Sequence, residues 1–295
     1  VNAAGPWVKP VLDATGGGDV PARVQLVKGS HVVVPRAYPG EHAFILQNHD
    51  KRIVFMIPYE RRFTLIGTTD VAVQGLAEAR AISVEETRYL LDAVNRYLAR
   101  PLVEHDVVWS YTGVRPLYDD GSNDPSEITR DYTLVVDERD GVAQLAVFGG
   151  KITTYRRLAE AALDKLQPWL GSARGAWTHE EPLPGAVKDV AIARDLLRAR
   201  RPAMPQPLLE ALFRRHGALA DEILGDARTL ADLGRDFGGG LCEREVQWFV
   251  EHEWAGSADD VLWRRTKAGL HMSVAQRADF ARWFDRHRHR AARIG

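Results

Sequence analysis

Cysteine is all but absent: the 295-residue chain has one, Cys242. A single thiol excludes an internal disulfide framework and any multi-cysteine metal cage, and it fits a reducing compartment. An excess of either charge is also missing, since 39 Lys and Arg stand against 40 Asp and Glu for a net charge of -1. No global basic field is therefore available to recruit nucleic acid, and such a partner would need a local patch. No run approaches the ~20 consecutive apolar residues of a membrane-spanning helix, and the N-terminus lacks a basic-then-apolar export signal. Several enzyme signatures are missing as well. There is no H-E-x-x-H, no P-loop, no serine nucleophile elbow and no G-x-G-x-x-G: Gly16-Gly17-Gly18 leads to Pro21, and Gly238-Gly239-Gly240 follows no apolar strand. The common hydrolase and NTPase readings, and a dinucleotide fingerprint within this chain, lose their best signals.

What is present is ordinary soluble-protein composition, 45% hydrophobic and 27% charged, at a length that suits at least two folding units of roughly 100–200 residues each. The chain opens at Val1 inside what reads as the end of a strand running into a turn, Val1-Asn2-Ala3-Ala4-Gly5-Pro6-Trp7, as expected of a fragment. Val32-Val33-Val34, Ala43 to Leu46, Arg52 to Ile57 and Phe63 to Ile66 follow as short β runs, with Pro58, Glu60 and Arg61 marking a turn, and predict an antiparallel meander. Ser83, three residues before Glu86, has the capping-box spacing, and Leu90, Leu91, Val94, Tyr97 and Leu98 continue a helical period. A helix over about 84–99, ended by Pro101, is predicted. Val107 to Tyr111, Thr133 to Asp137 and Ala143 to Phe148 predict further strands, the last entering Gly149-Gly150-Lys151 and a helix with Leu158, Ala162 and Leu166 on one face. Beyond Trp177 and Pro184, Ala, Leu and Arg dominate and β-branched runs thin out, which predicts an all-helical C-terminal third. A boundary near 172–186 falls where Gly171, Gly175, Pro182, Pro184 and Gly185 cluster.

Four segments could carry chemistry. In Phe148-Gly149-Gly150-Lys151-Ile152-Thr153-Thr154-Tyr155-Arg156 the glycines permit close approach to the backbone, and the following helix turns free N–H groups and a positive dipole end toward an anion. A phosphate or flavin-ring site and an ordinary strand-to-helix junction with a solvated Lys151 are both open. Arg115 and Arg130 adjoin strands and could fork onto one anionic ligand, or each could sit in a surface ion pair with Asp119, Asp120 or Asp131. His31, in Lys28-Gly29-Ser30-His31, is a candidate base or donor as well as a candidate structural histidine. Gly67-Thr68-Thr69-Asp70 reads as a hydroxyl-bearing turn that caps a loop. The basic tail from Arg286 through His287, Arg288, His289 and Arg290 to Arg293 reads as a solvated helix face, and Trp248, Trp254, Trp263 and Trp283 as core or interface anchors.

Taken in order, these segments resemble the FAD-dependent, respiratory glycerol-3-phosphate dehydrogenases over essentially the whole chain. The resemblance rests on the Asn2 to Trp7 segment, Lys28 to Arg36, Gly67 to Asp70, Gly113 to Leu117, Ile128 to Tyr132, Phe148 to Arg156 and Asp259 to Lys267. It implies an α+β / α/β fold: part of an FAD-binding domain of the D-amino-acid-oxidase-like type with an antiparallel substrate-binding sheet, then an all-helical domain. The implied boundaries are 1–20 and 131–172 for the FAD-binding part, 21–130 for the substrate-binding sheet and 180–295 for the helical domain. The family's N-terminal Rossmann strand has no counterpart, so the resemblance implies the C-terminal portion of a longer enzyme, inactive alone.

The implied activity is oxidation of sn-glycerol 3-phosphate to dihydroxyacetone phosphate, with electrons passed through FAD to membrane quinone, in glycerol metabolism and the respiratory chain. By the same resemblance His31 and Arg115 are the catalytic candidates, and Arg115, Arg130 and Lys151 bind substrate. Asn2, Ala3, Gly5, Trp7, Gly150, Lys151, Ile152, Thr153 and Thr154 line the flavin. No metal and no nucleic acid are expected, a homodimer is compatible, and the location is cytoplasmic, peripheral on the inner face of the cell membrane. The alternatives are an oxidase using oxygen, a non-catalytic module binding a phosphorylated ligand, and an interaction or DNA-binding protein built on the helical third.

Overall fold

The computed structural model describes residues 1–17, 24–118, 131–171 and 175–291, with side chains as far as His287. Gly18, Pro21, Asp119, Asp120, Arg130 and Arg293 lie outside the described residues, as do the side chains of Arg288, His289 and Arg290. The chain divides into two compact units, Val1–Glu180 and Glu181–Gly295.

The first unit is organised by one long strand, β1 (Val24–Pro35). Strands β2 (Phe44–Gln47), β3 (Ile53–Tyr59) and β4 (Phe63–Gly67) form the antiparallel meander read from the sequence. β1 is not its outer strand, however. It pairs with β4 over 31–35 and with β5 (Val71–Val73) over 26–28, while β6 (Trp109–Tyr118) runs antiparallel along β1 from Val24 to Val33. The sheet order is thus β2-β3-β4-β1, with β5 and β6 both bonded to β1. A strand so heavily buried finds partners on both edges, because an open edge would leave its backbone groups unsatisfied.

Alternation sorts the side chains of this sheet. Val32, Val34, Leu46, Val54, Met56 and Ile66 point to one face, where Leu90, Ala93 and Val94 of α2 (Val84–Asn95) close over them. The capping box is present: Ser83 Oγ accepts from the Glu86 N–H at 3.1 Å, and the Glu86 carboxylate accepts from the Ser83 N–H at 2.9 Å. The helix stops four residues short of the predicted 99. The Asn95 side-chain amide donates to the Leu102 carbonyl and accepts from the Leu102 N–H, gathering the chain back toward the helix.

β7 (Tyr132–Arg139) and β8 (Val142–Gly149) form a separate hairpin. Asn2 pairs with Ala146 in a parallel bridge, donating to the Leu145 carbonyl and accepting from the Val147 N–H. A turn at Gly5–Trp7 and helix α1 (Val8–Ala14) follow, with Val8 and Leu12 packed on Ala146 and Phe148. On the hairpin's other side, α3 (Tyr155–Leu170) sets Leu158, Ala162 and Leu166 against Leu134, Val136, Leu145 and Val147, as their spacing predicts.

The second unit contains α4 (Val190–Arg200), α5 (Gln206–His216), α6 (Leu219–Leu224), α7 (Glu243–His252), α8 (Ala268–His271) and α9 (Val274–Ala291). It is not wholly helical. β9 (Asp236–Gly238) and β10 (Leu241–Cys242) form a small hairpin about Gly238, Gly239 and Gly240, whose positive φ angles supply the turn. Trp248 bridges its two apolar clusters, Trp283 is buried in one of them, and Trp254 is 88% exposed. A buried Glu245 binds Arg215 through both carboxylate oxygens, at 2.6 and 2.8 Å, and lies 2.8 Å from His216 Nε2. Cys242 is buried beside it, and burial, followed by the Glu245 charge, pushes its thiol up to about 11.

The packing of α2 on the sheet gives a direct test. Leu90 is fully buried, so Leu90→Ala should lower the unfolding free energy of the first unit by about 2–5 kcal/mol. Urea denaturation measures this, and a loss under ~1 kcal/mol would show that α2 is not what covers the sheet.

Candidate active site

The candidate catalytic side chains lie on the face of the sheet opposite α2. In register across the strands, Ile45, Phe55, Gly67, His31 and Tyr111 form one row from β2 to β6. Four pairs further along β1, Val27 faces Arg115. His31, Tyr111 and Arg115 therefore share a face because their positions differ by even numbers in strands of fixed register.

The His31 ring stacks on Tyr111 with centroids 4.8 Å apart and planes 4° from parallel. Room for it comes from Gly67, where a Cβ would lie 2.1 Å from His31 Cδ2. His31 Nδ1 is buried without a hydrogen-bond partner, and an unsatisfied buried ring nitrogen is costly unless the fold holds it for another purpose. Burial first, and the Arg115 cation second, lower the His31 pKa to about 4. The imidazole is therefore neutral at pH 7. Tyr111 is pushed above the ordinary phenol value by burial, so it too is neutral there.

Arg115 is half-buried, and glycine again makes the space. A Cβ on Gly29 would stand 2.8 Å from both terminal guanidinium nitrogens. It forms an ion pair with Asp70: Nη1 donates to Asp70 Oδ1 at 2.5 Å, and Nη2 reaches Thr68 Oγ1 at 3.4 Å. The Thr68–Asp70 turn, read from sequence as a loop cap, thus grips the arginine. Cross-strand register alone reveals this, since Asp70 and Arg115 are 45 residues apart. Gly29, Gly67 and Tyr111 were likewise missed as site residues. Their only sequence signal is the glycine spacing around His31.

A second group lies where β8 ends. Gly149 and Gly150 have φ of 70° and 89°. A Cβ on Gly149 would meet the Asp131 carbonyl at 2.8 Å and lie 3.8 Å from that of Pro116, the residue after Arg115. The Gly5–Trp7 turn also packs on β6 and β8. Lys151, Ile152 and Thr153 are exposed there, Ile152 at 87%, and Trp7 is exposed as well. Thr154 Oγ1 donates to the Lys151 carbonyl at 2.9 Å, tightening the turn before α3.

The Asn2 side chain is spent internally, donating to the Val8 carbonyl at 2.8 Å and accepting from the Ala4 N–H at 3.2 Å. Its side chain shapes the turn rather than offering a free amide. An exposed aromatic plane, a glycine turn with positive φ angles and the N-terminus of a 16-residue helix fit the ring and phosphates of a flavin nucleotide. Of the predicted site residues, His31 and Arg115 share one face of the sheet, and Gly5, Trp7 and Gly150 to Thr154 gather at the β6–β8 junction. Arg130 lies outside the described residues. No group of three or more metal-ligating side chains occurs among the described residues, nor is any helix there long and apolar enough to cross a membrane.

Two outcomes test this geometry. An NMR titration should place the His31 pKa near 4 rather than 6.5. The unfolded chain takes up this proton first, so the contribution of His31 to stability is complete above about pH 6.5 and is lost as pH falls toward 4. A titration near 6.5 would contradict the buried placement. Gly67→Ala should push the ring off Tyr111, return its pKa toward 6.5 and destabilise the unit by about 1–3 kcal/mol, measured by the same titration and by urea unfolding.

Comparison with known proteins gives the family. The family profile described as FAD dependent oxidoreductase matches residues 1–156, and that of the C-terminal domain of alpha-glycerophosphate oxidase matches residues 176–281. The chain is 46% identical over 288 residues to D-erythritol 1-phosphate dehydrogenase of Brucella abortus, covering 97% of this chain. It is equally similar to aerobic glycerol-3-phosphate dehydrogenase of Escherichia coli, 46% over 288 residues and 96% of this chain. It spans 57% of the length of each of these relatives. Among solved structures, glycerol-3-phosphate dehydrogenase from Bacillus halodurans complexed with FAD superposes with a TM-score of 0.71 at 23% identity, over 97% of this chain and 61% of that one, a likeness of fold. With the flavin-compatible junction at the end of β8 and a family match over its first 156 residues, the chain belongs to the FAD-dependent oxidoreductases.

Proposed function

We propose that this chain, together with the part of its relatives that it does not span, oxidises sn-glycerol 3-phosphate to dihydroxyacetone phosphate. The observation that carries the reading is a guanidinium held beside a neutral, stacked histidine on one open sheet face. Such a pair can hold a phosphate dianion and receive a proton within one small substrate. Arg115 offers a fork to the phosphate, and Lys151 and Arg130 are assigned to the same anion. His31, neutral at pH 7, accepts the hydroxyl proton as the carbinol carbon is oxidised. Its low pKa keeps a second positive charge away from Arg115 and leaves a lone pair available. When bound, FAD supplies the two-electron acceptor for the hydride of that carbon. Gly150, Ile152 and Thr153 would offer backbone donors to its ring edge, with Ala3, Gly5 and Trp7 on the other side; the Thr154 N–H donates to the Lys151 carbonyl and both the side chain and the backbone of Asn2 bond within the protein, so Thr154 and Asn2 would shape the two turns.

We assign the electrons to membrane quinone and the protein to peripheral attachment on the cytoplasmic face of the cell membrane, on the strength of the family resemblance. An oxygen-using oxidase is the alternative, and stoichiometric peroxide would identify it. A second substrate is favoured by a specific observation: the 46% identity to D-erythritol 1-phosphate dehydrogenase makes a four-carbon phosphorylated polyol a competitor for the same face.

Anaerobic titration of the full-length protein with glycerol 3-phosphate should bleach the oxidised flavin band, and a parallel titration with D-erythritol 1-phosphate ranks the two substrates. Arg115→Lys should lower kcat/KM by about 10- to 100-fold, the scale of one lost charged hydrogen bond. Bound flavin that stays oxidised with both substrates would overturn the assignment.

A further inference from the structure

Beneath the open face lies a buried ionic cluster that the chemistry above does not use. Lys28 and Ser30 alternate with Gly29 and His31 along β1 and therefore point to the opposite side, toward the first turn of α2. Glu86 meets them there. Its Oε1 accepts from Ser30 Oγ and from Thr69 Oγ1, each at 2.7 Å. Its Oε2 accepts from the Ser83 N–H at 2.9 Å and lies 2.7 Å from Lys28 Nζ. Lys28 also donates to the Ala81 carbonyl at 3.3 Å. All four side chains, Lys28, Ser30, Thr69 and Glu86, are buried. Burial alone would raise the Glu86 carboxyl, but bonds from Lys28, Ser83, Thr69 and Ser30 outweigh it and hold the group below the usual carboxylate range.

A buried ion pair adds little net stability over apolar packing, because desolvation offsets the attraction. What such a cluster does provide is fixed geometry, and the element it fixes is specific. Thr69 Oγ1 accepts from the Ser30 N–H at 3.0 Å while donating to Glu86, and the Thr69 N–H reaches the Ser30 carbonyl at 3.4 Å. Thr69 is thereby held on both sides. Its chain neighbours, Thr68 and Asp70, both bind the Arg115 guanidinium on the open face. A long, partly exposed arginine otherwise samples many rotamers, and pre-orienting its fork removes that cost from substrate binding.

We propose that Glu86, acting through Thr69, is the positioning carboxylate of Arg115, locking the Thr68–Asp70 turn so that the guanidinium is presented to the phosphate of the substrate. The inference rests on the functional reading above. It makes Thr69 and Glu86 positioning residues: neither touches substrate.

The test uses the full-length, flavin-loaded enzyme with glycerol 3-phosphate and D-erythritol 1-phosphate. Thr69→Val removes both Thr69 hydroxyl bonds without touching the cap of α2, and Thr69→Ser keeps them. Thr69→Val should raise KM about tenfold, the scale of one displaced hydrogen bond to a charged group, with kcat within about twofold. Thr69→Ser should restore KM, and in an Arg115→Lys background Thr69→Val should add little, because the two act on one contact. Should Thr69→Val not accumulate as folded protein, Asp70→Ala cuts the outer end of the same relay at an exposed position and should raise KM in the same way. An unchanged KM in Thr69→Val or Asp70→Ala, or a loss fully additive with Arg115→Lys, overturns the inference while leaving the functional reading intact. If the unmodified enzyme oxidises no phosphorylated polyol, both fall.

Discussion

The register between β1 and β6 is the constraint on which the rest of the first unit depends. Ten consecutive pairs, Val24 with Tyr118 through Val33 with Trp109, set every side chain of β1 on one of two faces. A slip of one residue would turn Val32 and Val34 outward and drive His31 into the cluster under α2. The apolar closure of α2 over Val32, Val34, Val54, Met56 and Ile66 opposes any such slip. Core packing and site geometry are thus one constraint seen from two faces.

Electrostatics follow from that placement. Burial disfavours the charged imidazole, and the Arg115 cation on the adjoining strand adds to the effect, so His31 remains neutral. Arg115 in turn does not face the site unbalanced, since Asp70 accepts from it. On the other face the order is inverted: an anion, Glu86, is surrounded by donors from Lys28, Ser30, Thr69 and Ser83. The turn at Thr68–Asp70 joins the two arrangements, which explains why a loop with little apolar content is held so firmly between β4 and β5.

Glycine performs a distinct physical task at each of its positions in the site. Gly29 and Gly67 sit in strands, where a missing side chain is normally a weakness, yet each vacates volume that a functional ring or guanidinium fills. Gly149 and Gly150 instead provide backbone angles closed to other residues, letting β8 turn into α3 beside β6. The helical unit solves a different problem. Its Glu245, Arg215 and His216 satisfy one another in the interior, and Trp248 joins two apolar clusters.

Much of this was legible before any coordinates. Local pattern determined the meander β2-β3-β4, the Ser83–Glu86 cap, the face of α3 and the helical character of the second unit, because capping, alternation and helical period act between residues a few positions apart. His31, Arg115 and the Gly149–Lys151 turn stand out as candidates for the same reason, as short contiguous segments, and the resemblance adds the roles it implies for them. Tertiary structure alone decided that β1 lies inside the sheet, that α2 ends at Asn95, and that Gly238–Gly240 forms a hairpin. It alone joined Asp70 to Arg115 and Thr69 to Glu86. Those contacts span 45 and 17 residues, and their existence depends on which strand edges pair, a matter settled by burial of the whole sheet and not by any one stretch of sequence.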